Sequence, residues 1–565
     1  MTLILLVSLG LLAQTGGVST PIRSGTSLPS GAAVNSMFIV NGTGLYKCNV
    51  NPCTTAANWT QMAEVDATGK LTVTSIQATT VAAGATNPVT IGGATGSCTG
   101  KVAMADGTGC VANGGGVSLG TTSSTAATGW TAPCNVKALN IPSDGVTDIA
   151  TSMAAAQTAC PQGLFFPQGS GAYYTATGVI FTVPVWMWGG QFSGSGALTF
   201  NGDLYAGYGQ IFTGTNTVTF GAAVPVDYAE WWGALGNNAH DDTTALNTAL
   251  NAFSAGGATQ LLAKQYLTSS AVATSKNSVG LLGVQESYFD TPTVGSWINN
   301  NSATSSIVSL TGQRDFARHV VANRTVAGSA GAKGWDVETG YETTLEHVWS
   351  LNNPEGIYIG NSAANVWVLD PWIVYTSISS NSVAQHGINI DNSSTATQST
   401  KIEGAQVANN SSSSLHVWAY YVHGGTIQDI KFYQPESAGT DWLLYVTGNG
   451  SSPSKDIFVT NPVCDNAIVG CAYISGVLAS DNENAINISG GMFSESSVAG
   501  EKLVDIESSK GISVTDTQFY NNTSGSSSVG IYANSSTSIG VAGNTFLNIG
   551  YPVWLNNTSN SSVVG

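Results

Sequence analysis

Nine short segments recur through the second half of this chain. They are WDVETG, IYIGN, INIDN, YYVHGG, LYVTGN, AYISG, VDIESS, IYANSS and VWLNNT, beginning at residues 335, 357, 388, 420, 444, 472, 504, 531 and 553. In each, apolar residues alternate about one residue of another kind, and a Gly, Asn or Ser turn follows. Second strands such as KIEGAQV, TIQDIKF, AINISGGMF and GISVTDTQF lie between them. A period of roughly 22–32 residues with two or three strands is that of a β-solenoid, in which each coil buries its apolar face only against its neighbours. The richness in Thr, Val, Ile, Gly and Asn excludes helical repeats, and a propeller would need four strands and a longer blade.

Aligning the strands on their second inward residue places Val337, Ile359, Ile390, Val422, Val446, Ile474, Ile506, Ala533 and Leu555 in one internal stack. Side chains alternate along a strand, so the preceding residues point outward. That row reads Asp336, Tyr358, Asn389, Tyr421, Tyr445, Tyr473, Asp505, Tyr532 and Trp554. Successive coils are about 4.8 Å apart, so the row is a ladder with rings at most rungs. Exposed rings offer a flat apolar face and a polar edge, which suits a sugar chain. A subunit interface, or the plain strand preference of tyrosine, are the competing readings of the same row.

One position beyond the internal stack the row is Glu338, Gly360, Asp391, His423, Thr447, Ser475, Glu507, Asn534 and Asn556. Glu338 and Asp391 are two coils, or about 9.6 Å, apart. That is the upper end of the separation used by an acid and base pair in inverting glycoside hydrolysis. His423, one coil further, is placed to pair with Asp391. The competing reading is that acidic residues at β-turns are ordinary solvated positions. The stretch 333–356 is also the densest cluster of ionisable residues, holding Asp336, Glu338, Glu342, Glu346, His347 and Glu355 beside Trp335 and Trp349. Either it is a place for acid–base chemistry or it is a solvated entry to the solenoid. The expected catalytic residues are therefore Glu338, Asp391, His423 and Asp336. The expected substrate-binding residues are Tyr358, Asn389, Tyr421, Tyr445, Tyr473, Trp335 and Trp349.

Upstream, one unit occurs twice, as NIPSDGVTDIATSMAAAQTACPQGLFFPQGSGAYYTATG and as WWGALGNNAHDDTTALNTALNAFSAGGATQLLAKQYLTSS. In each, an Asp (Asp148, Asp242) stands where a helix N-cap is expected, an Ala-rich helix follows, and an apolar strand leads to a Tyr. Here the sequence resembles the N-terminal region of the pectate-lyase superfamily in the form shared with phage tailspikes. That pattern is a Gly-Asp-Gly-x-x-Asp-Asp turn, a capping helix and a strand ending in Gly-x-Tyr. The first copy keeps Asp144, Gly145, Val146, Thr147 and Asp148 but has Ile149 for the second Asp. The second keeps Asp241 and Asp242 but has Asn237 and Asn238 for the first Gly-Asp. The resemblance implies a right-handed parallel β-helix, a loop that caps its end, and the homotrimeric assembly usual for tailspike fibres. The family's calcium site and arginine base do not carry over. Arg314, Arg318 and Arg324 lie near the helix start, but no Asp cluster of matching spacing stands opposite them, so neither metal nor cofactor is expected. A shorter stretch, GLYKCNVNPCTTAANWTQ, resembles modules near the N-termini of bacterial surface proteins and phage fibres.

The expected organisation is a signal-like hydrophobic segment over 1–19, small β modules and a Gly-rich linker over 20–130, a first capping-helix and β unit over 131–224, and the parallel β-helix over 225–565. The apolar run at 3–13 is too short to span a bilayer and suits either a secretion signal or a hydrophobic segment of an assembled particle. The last coil, ending LNNTSNSSVVG, is expected to invite end-to-end association. Eight cysteines fall as near neighbours, Cys48/Cys53, Cys98/Cys110, Cys134/Cys160 and Cys464/Cys471. Local disulfides in an oxidising compartment fit them. Free thiols or zinc are the alternatives, though no Cys-x-x-Cys occurs. A formal charge of −17 argues against nucleic acid or an anionic membrane as partner. The expectation is an extracellular polysaccharide-binding protein, secreted or virion-associated, leaning to a tailspike-type depolymerase that acts as hydrolase or lyase. The alternative is a non-catalytic adhesin or receptor-binding fibre recognising a surface glycan.

Overall fold

The computed structural model describes residues 133–565, apart from 255, 285–294, 361, 376–384, 394–398, 411–414, 480–483, 496–500 and 522–526, together with short stretches between 23 and 111. The apolar N-terminal run, the Gly-rich stretch at 113–120 and the cysteines Cys53 and Cys98 lie outside the described residues. Two compact units are present, Met1–Ser123 and Ser124–Gly565. The first holds a five-stranded sheet built from Arg23–Gly25, Met37–Val40, Gly44–Cys48, Trp59–Val65 and Leu71–Thr72.

The second unit is a parallel β-helix. Three long sheets of fourteen, twelve and eleven strands run through it, and each coil contributes a strand to each. Every ladder in them is parallel, and connections between parallel strands are right-handed as such crossovers overwhelmingly are. The fourteen-stranded sheet runs from Val226–Tyr228 to Ser562–Val564, the twelve-stranded from Asn237–Asp241 to Thr545–Leu547, and the eleven-stranded from Val272–Thr274 to Tyr551–Asn556. Parallel pairing starts further upstream, with Leu164–Phe166 beside Val185–Met187 and Val179–Phe181 beside Leu198–Phe200. One hydrophobic core runs without interruption from Val136 to Val541.

The expected internal stack is present in register. Val337 pairs with Ile359, Ile359 with Ile390, Ile390 with Val422, Val422 with Val446 and Val446 with Ile474. All six are buried, and each such side chain contributes about 1.5–3 kcal/mol of burial. A single left-handed residue turns the chain from the fourteen-stranded to the twelve-stranded sheet. His319, His347, Asp370, Gly404, Gln434, Asn461 and Asp516 occupy that corner on different coils, with φ between 47° and 64°. The preference of this conformation for Gly, Asn and Asp explains the turn residues that punctuate the repeat.

Helices α1 (Ala150–Ala159) and α2 (Thr243–Leu250) occupy the two capping units. Asp242 is the N-cap of α2, yet its carboxylate accepts the Leu235 and Gly236 amides instead of capping the helix. Asp241 accepts from the Thr243 amide in its place. The N-cap of α1 is Ile149, and Asp148 just before it accepts from the Ala150 and Thr177 amides. Both aspartates therefore tie the helix entry to neighbouring backbone, a structural task. Cys134–Cys160 and Cys464–Cys471 are disulfides, as their spacing predicts.

Asp227 is fully buried on the first long strand, and neither carboxyl oxygen makes a hydrogen bond, although the Thr259 hydroxyl lies on the paired strand. Burial pushes this carboxyl well above the usual carboxylate range. Its folded pKa exceeds its unfolded one, so stability is greatest below about pH 4 and falls as pH rises towards the folded value. Asp227→Asn removes the charge and is expected to stabilise the protein by about 1–3 kcal/mol at pH 8. The gain should shrink towards pH 4, and urea unfolding across that range measures it.

Candidate functional site

The outward row on the eleven-stranded sheet is where alternation places it. Asp336, Tyr358, Asn389, Tyr421, Tyr445, Tyr473, Asp505, Tyr532 and Trp554 are register partners from coil to coil. Neighbouring rings in the row pack in two ways: Tyr421 meets Tyr445 edge-on at 5.8 Å and Tyr532 meets Trp554 edge-on at 5.5 Å, whereas the next pair stacks. Tyr445 and Tyr473 are 4.6 Å apart with planes 22° from parallel. The faces of this pair are thus turned towards each other rather than outward. This differs from the expected flat apolar platform, because the rung spacing is itself close to ring-stacking distance.

A second outward column, not anticipated, runs beside the first: Lys333, Glu355, His386, Trp418 and Trp442, in register with one another. Each sits three residues before its neighbour in the tyrosine row. Period-two alternation would turn such a residue inward. It faces out because two consecutive residues that follow it both enter the core, as Ala419 and Tyr420 do, or Leu443 and Leu444. Trp418 stacks on Tyr445 at 3.8 Å and 6°. Trp442 lies 5.6 Å from Tyr473, and His386 lies 4.5 Å from Tyr421. His386 Nδ1 is 2.8 Å from Glu355 Oε1, and Asn389 Nδ2 donates to Glu355 Oε2 at 3.0 Å.

Among the expected catalytic residues, Asp391 is tied most firmly. Its carboxylate accepts the Tyr358 hydroxyl at 2.9 Å and the Ser393 amide at 2.8 Å, and His423 Nδ1 lies 3.8 Å away. Burial pushes Asp391 up, but the hydrogen bonds from Ser393 and Tyr358 outweigh it and hold the carboxyl below its ordinary value. Burial lowers His423 more than Asp391 raises it, so the imidazole is held below its ordinary value. Burial, with the hydrogen bond to Asp391, keeps the Tyr358 phenol protonated. Glu338 is 55% exposed and faces Lys333 Nζ at 3.8 Å. Asp336 pairs with the same ammonium at 3.0 Å and accepts from the Ser306 hydroxyl. Beside His423 and Tyr421 lies a shallow groove of about 320 Å³ bordered by Ser393, Gly424, Gly425 and Asn449.

Three expectations are corrected. Trp335 is fully buried in the core, where its indole N–H donates to the Trp349 carbonyl at 2.9 Å. It cannot touch a ligand on the face. Trp349 stands on the twelve-stranded sheet in a separate cluster with Trp297, Val321 and Trp372. The ionisable cluster at 333–356 is dispersed by the coil. Glu342 and Glu346 pair with Arg314 and Arg318, His347 stacks on His319 at the corner, and only Asp336, Glu338 and Glu355 share the aromatic face. Among the described residues no group of acidic, His and Cys side chains is arranged to hold a metal ion.

The eleven-strand ladder in continuous register decides the architecture. The chain has a right-handed parallel β-helix fold. No protein-family model matches the sequence, and no curated protein matches it. Solved structures that it resembles include the Agl-KA catalytic domain, 15% identical over 62% of this chain and 70% of that one, with a TM-score of 0.44. Another is PfbA, a surface adhesin of Streptococcus pneumoniae, 13% identical over 58% of this chain and 93% of that one, with a TM-score of 0.40. The Dettilon tailspike protein is 11% identical over 72% and 67% of the two chains, with a TM-score of 0.29.

Proposed function

We propose that the eleven-stranded face is a binding track for an extracellular polysaccharide or cell-surface glycan. The observation that carries this is the paired column: rings packed against one another, with Trp418, Tyr445 and Tyr473 in one stack, run beside a turn column of Asp391, His423, Thr447, Ser475 and Glu507. Donors and acceptors thus recur at every rung of about 4.8 Å, which matches a polymer better than a small ligand. The rings are locked by one another, so little side-chain entropy is lost on contact. The charge of −17 disfavours phosphate polymers. The two disulfides suit an oxidising compartment, and no described helix is long and apolar enough to cross a membrane.

A second reading, cleavage of the bound glycan, is favoured by one observation: Asp391, its carboxyl held below the ordinary value by hydrogen bonds, lies 3.8 Å from His423, which borders the groove. In that reading Asp391 is the base and Glu338 its acid partner.

The binding reading is tested on a glycan array with the parent and Tyr445→Ala. Removing this ring opens the stack between Trp418 and Tyr473, and the expected cost is about 1.5–3 kcal/mol, or roughly 10–100-fold in affinity. Light scattering on the same samples separates the alternatives. A variant that falls apart from trimer to monomer, with glycan affinity unchanged, makes the face a subunit interface and removes the glycan reading.

A further inference from the structure

The aromatic ladder is bracketed by two copies of one constellation. The pattern Lys-x-x-Asp-x-Glu occurs at 333–338 and again at 502–507. In the first, Lys333 Nζ lies 3.0 Å from Asp336, 3.8 Å from Glu338 and 3.7 Å above the ring centre of Tyr358 on the next coil. In the second, Lys502 Nζ lies 2.9 Å from Asp505, 3.5 Å from Glu507 and 3.6 Å above the ring centre of Tyr532 on the next coil. The surroundings differ in detail. Tyr358 donates to Asp391, whereas Glu507 accepts from Asn534. Six register steps along the eleven-stranded sheet separate the two strands, which is roughly 29 Å.

We propose that these are two equivalent subsites for one repeating, uncharged sugar unit, and that the track binds a neutral periodic polysaccharide long enough to engage both. This rests on the glycan-binding reading and names its substrate class. The physical argument has three parts. First, each ammonium is pinned by a ring and holds an aspartate and a glutamate beside it, so the carboxylate acceptors stand in fixed places without an ordering cost. Second, each glutamate reaches outward as an acceptor, Glu338 with 55% and Glu507 with 25% of its side chain exposed. Two fixed carboxylates side by side match the donors of vicinal hydroxyls. Third, each cluster sums to one cation and two anions, so a uronate or sulfate arriving there meets excess negative charge, as it does on the chain as a whole. Identical subsites at a fixed spacing along one rigid sheet select a ligand that repeats.

Two subsites on one chain act through effective concentration, so losing either should reduce the affinity of a long chain to that of a short one, a drop of about a hundredfold. The experiment uses the full chain on an array of neutral, amino-substituted and uronate- or sulfate-bearing glycans, each printed as short and long chains. The variants are Lys333→Met, Lys502→Met and, as a milder change, Glu507→Gln. The expected result is binding of neutral glycans that strengthens with length, with the length dependence abolished by either lysine substitution and weakened by Glu507→Gln. Preference for acidic glycans overturns the proposal. So does a result in which the lysine variants melt lower but Glu507→Gln, folded as the parent, keeps full long-chain affinity. The lysines would then only cap the aromatic stack, and the glycan-binding reading would stand. Absence of binding to every glycan removes that reading as well as this one.

Discussion

Trp335→Ala is expected to destabilise the β-helix by about 3–5 kcal/mol, the cost of emptying a large aromatic site in a packed core. The indole is fully buried and its N–H satisfies the Trp349 carbonyl. The substitution therefore leaves a cavity and removes a buried hydrogen bond. The contrasting change is Trp554→Ala, half exposed on the last coil of the same sheet, which should cost no more than about 0.5 kcal/mol. Urea unfolding followed by far-ultraviolet circular dichroism measures both. A Trp335→Ala protein as stable as its parent but weakened towards glycan would return this residue to the binding face and undo the register on which the site is built.

Alternation carried the tyrosine row because strand side chains repeat every two residues, and the internal stack from Val337 to Ile474 fixed the phase. Applied consistently, the same rule also places Trp335 inside, two residues before Val337. Its place beside a cluster of charge in the sequence suggests the opposite, and the register overrides that neighbourhood. The second column was hidden for the opposite reason. Leu443 with Leu444, and Leu503 with Val504, are consecutive core residues, so the strand departs from its period just where Trp442 and Lys502 turn outward. A constant offset of three residues before the tyrosine row, with glycine following at Gly334, Gly356 and Gly387, was the available signal. The consequence for the chemistry is larger than for the fold. The tyrosine row alone suggests open ring faces, whereas Trp418 against Tyr445 leaves only edges. Glu355, met in the sequence as one acid among several, proves to be held by His386 and Asn389.

On the cleavage reading, Asp391→Asn is expected to lower the release of new reducing ends from a bound glycan by about 10²–10⁴-fold, the range for loss of a positioned general base. The amide keeps the shape of the carboxylate and its one oxygen can still accept from the Ser393 amide, but its NH2 stands where the second oxygen accepted from Tyr358, and it cannot take a proton. Glycan binding, carried by the tyrosine row, should persist in this variant. The hydrogen bonds that hold Asp391 below the ordinary carboxylate value also set the pH profile. A base must be ionised to act, so the acid limb of the rate should fall below about pH 4 and not above it. Glu338→Gln tests the partner role separately. If that variant alone loses cleavage, the acid lies at Glu338 and the base must be sought elsewhere on the face. Release that survives both substitutions discards the pair, with the Glu355 and His386 contact the next place to look. A parent that binds glycan and releases no ends makes the groove beside His423 a recognition site, with Asp391 serving to fix the Tyr358 hydroxyl.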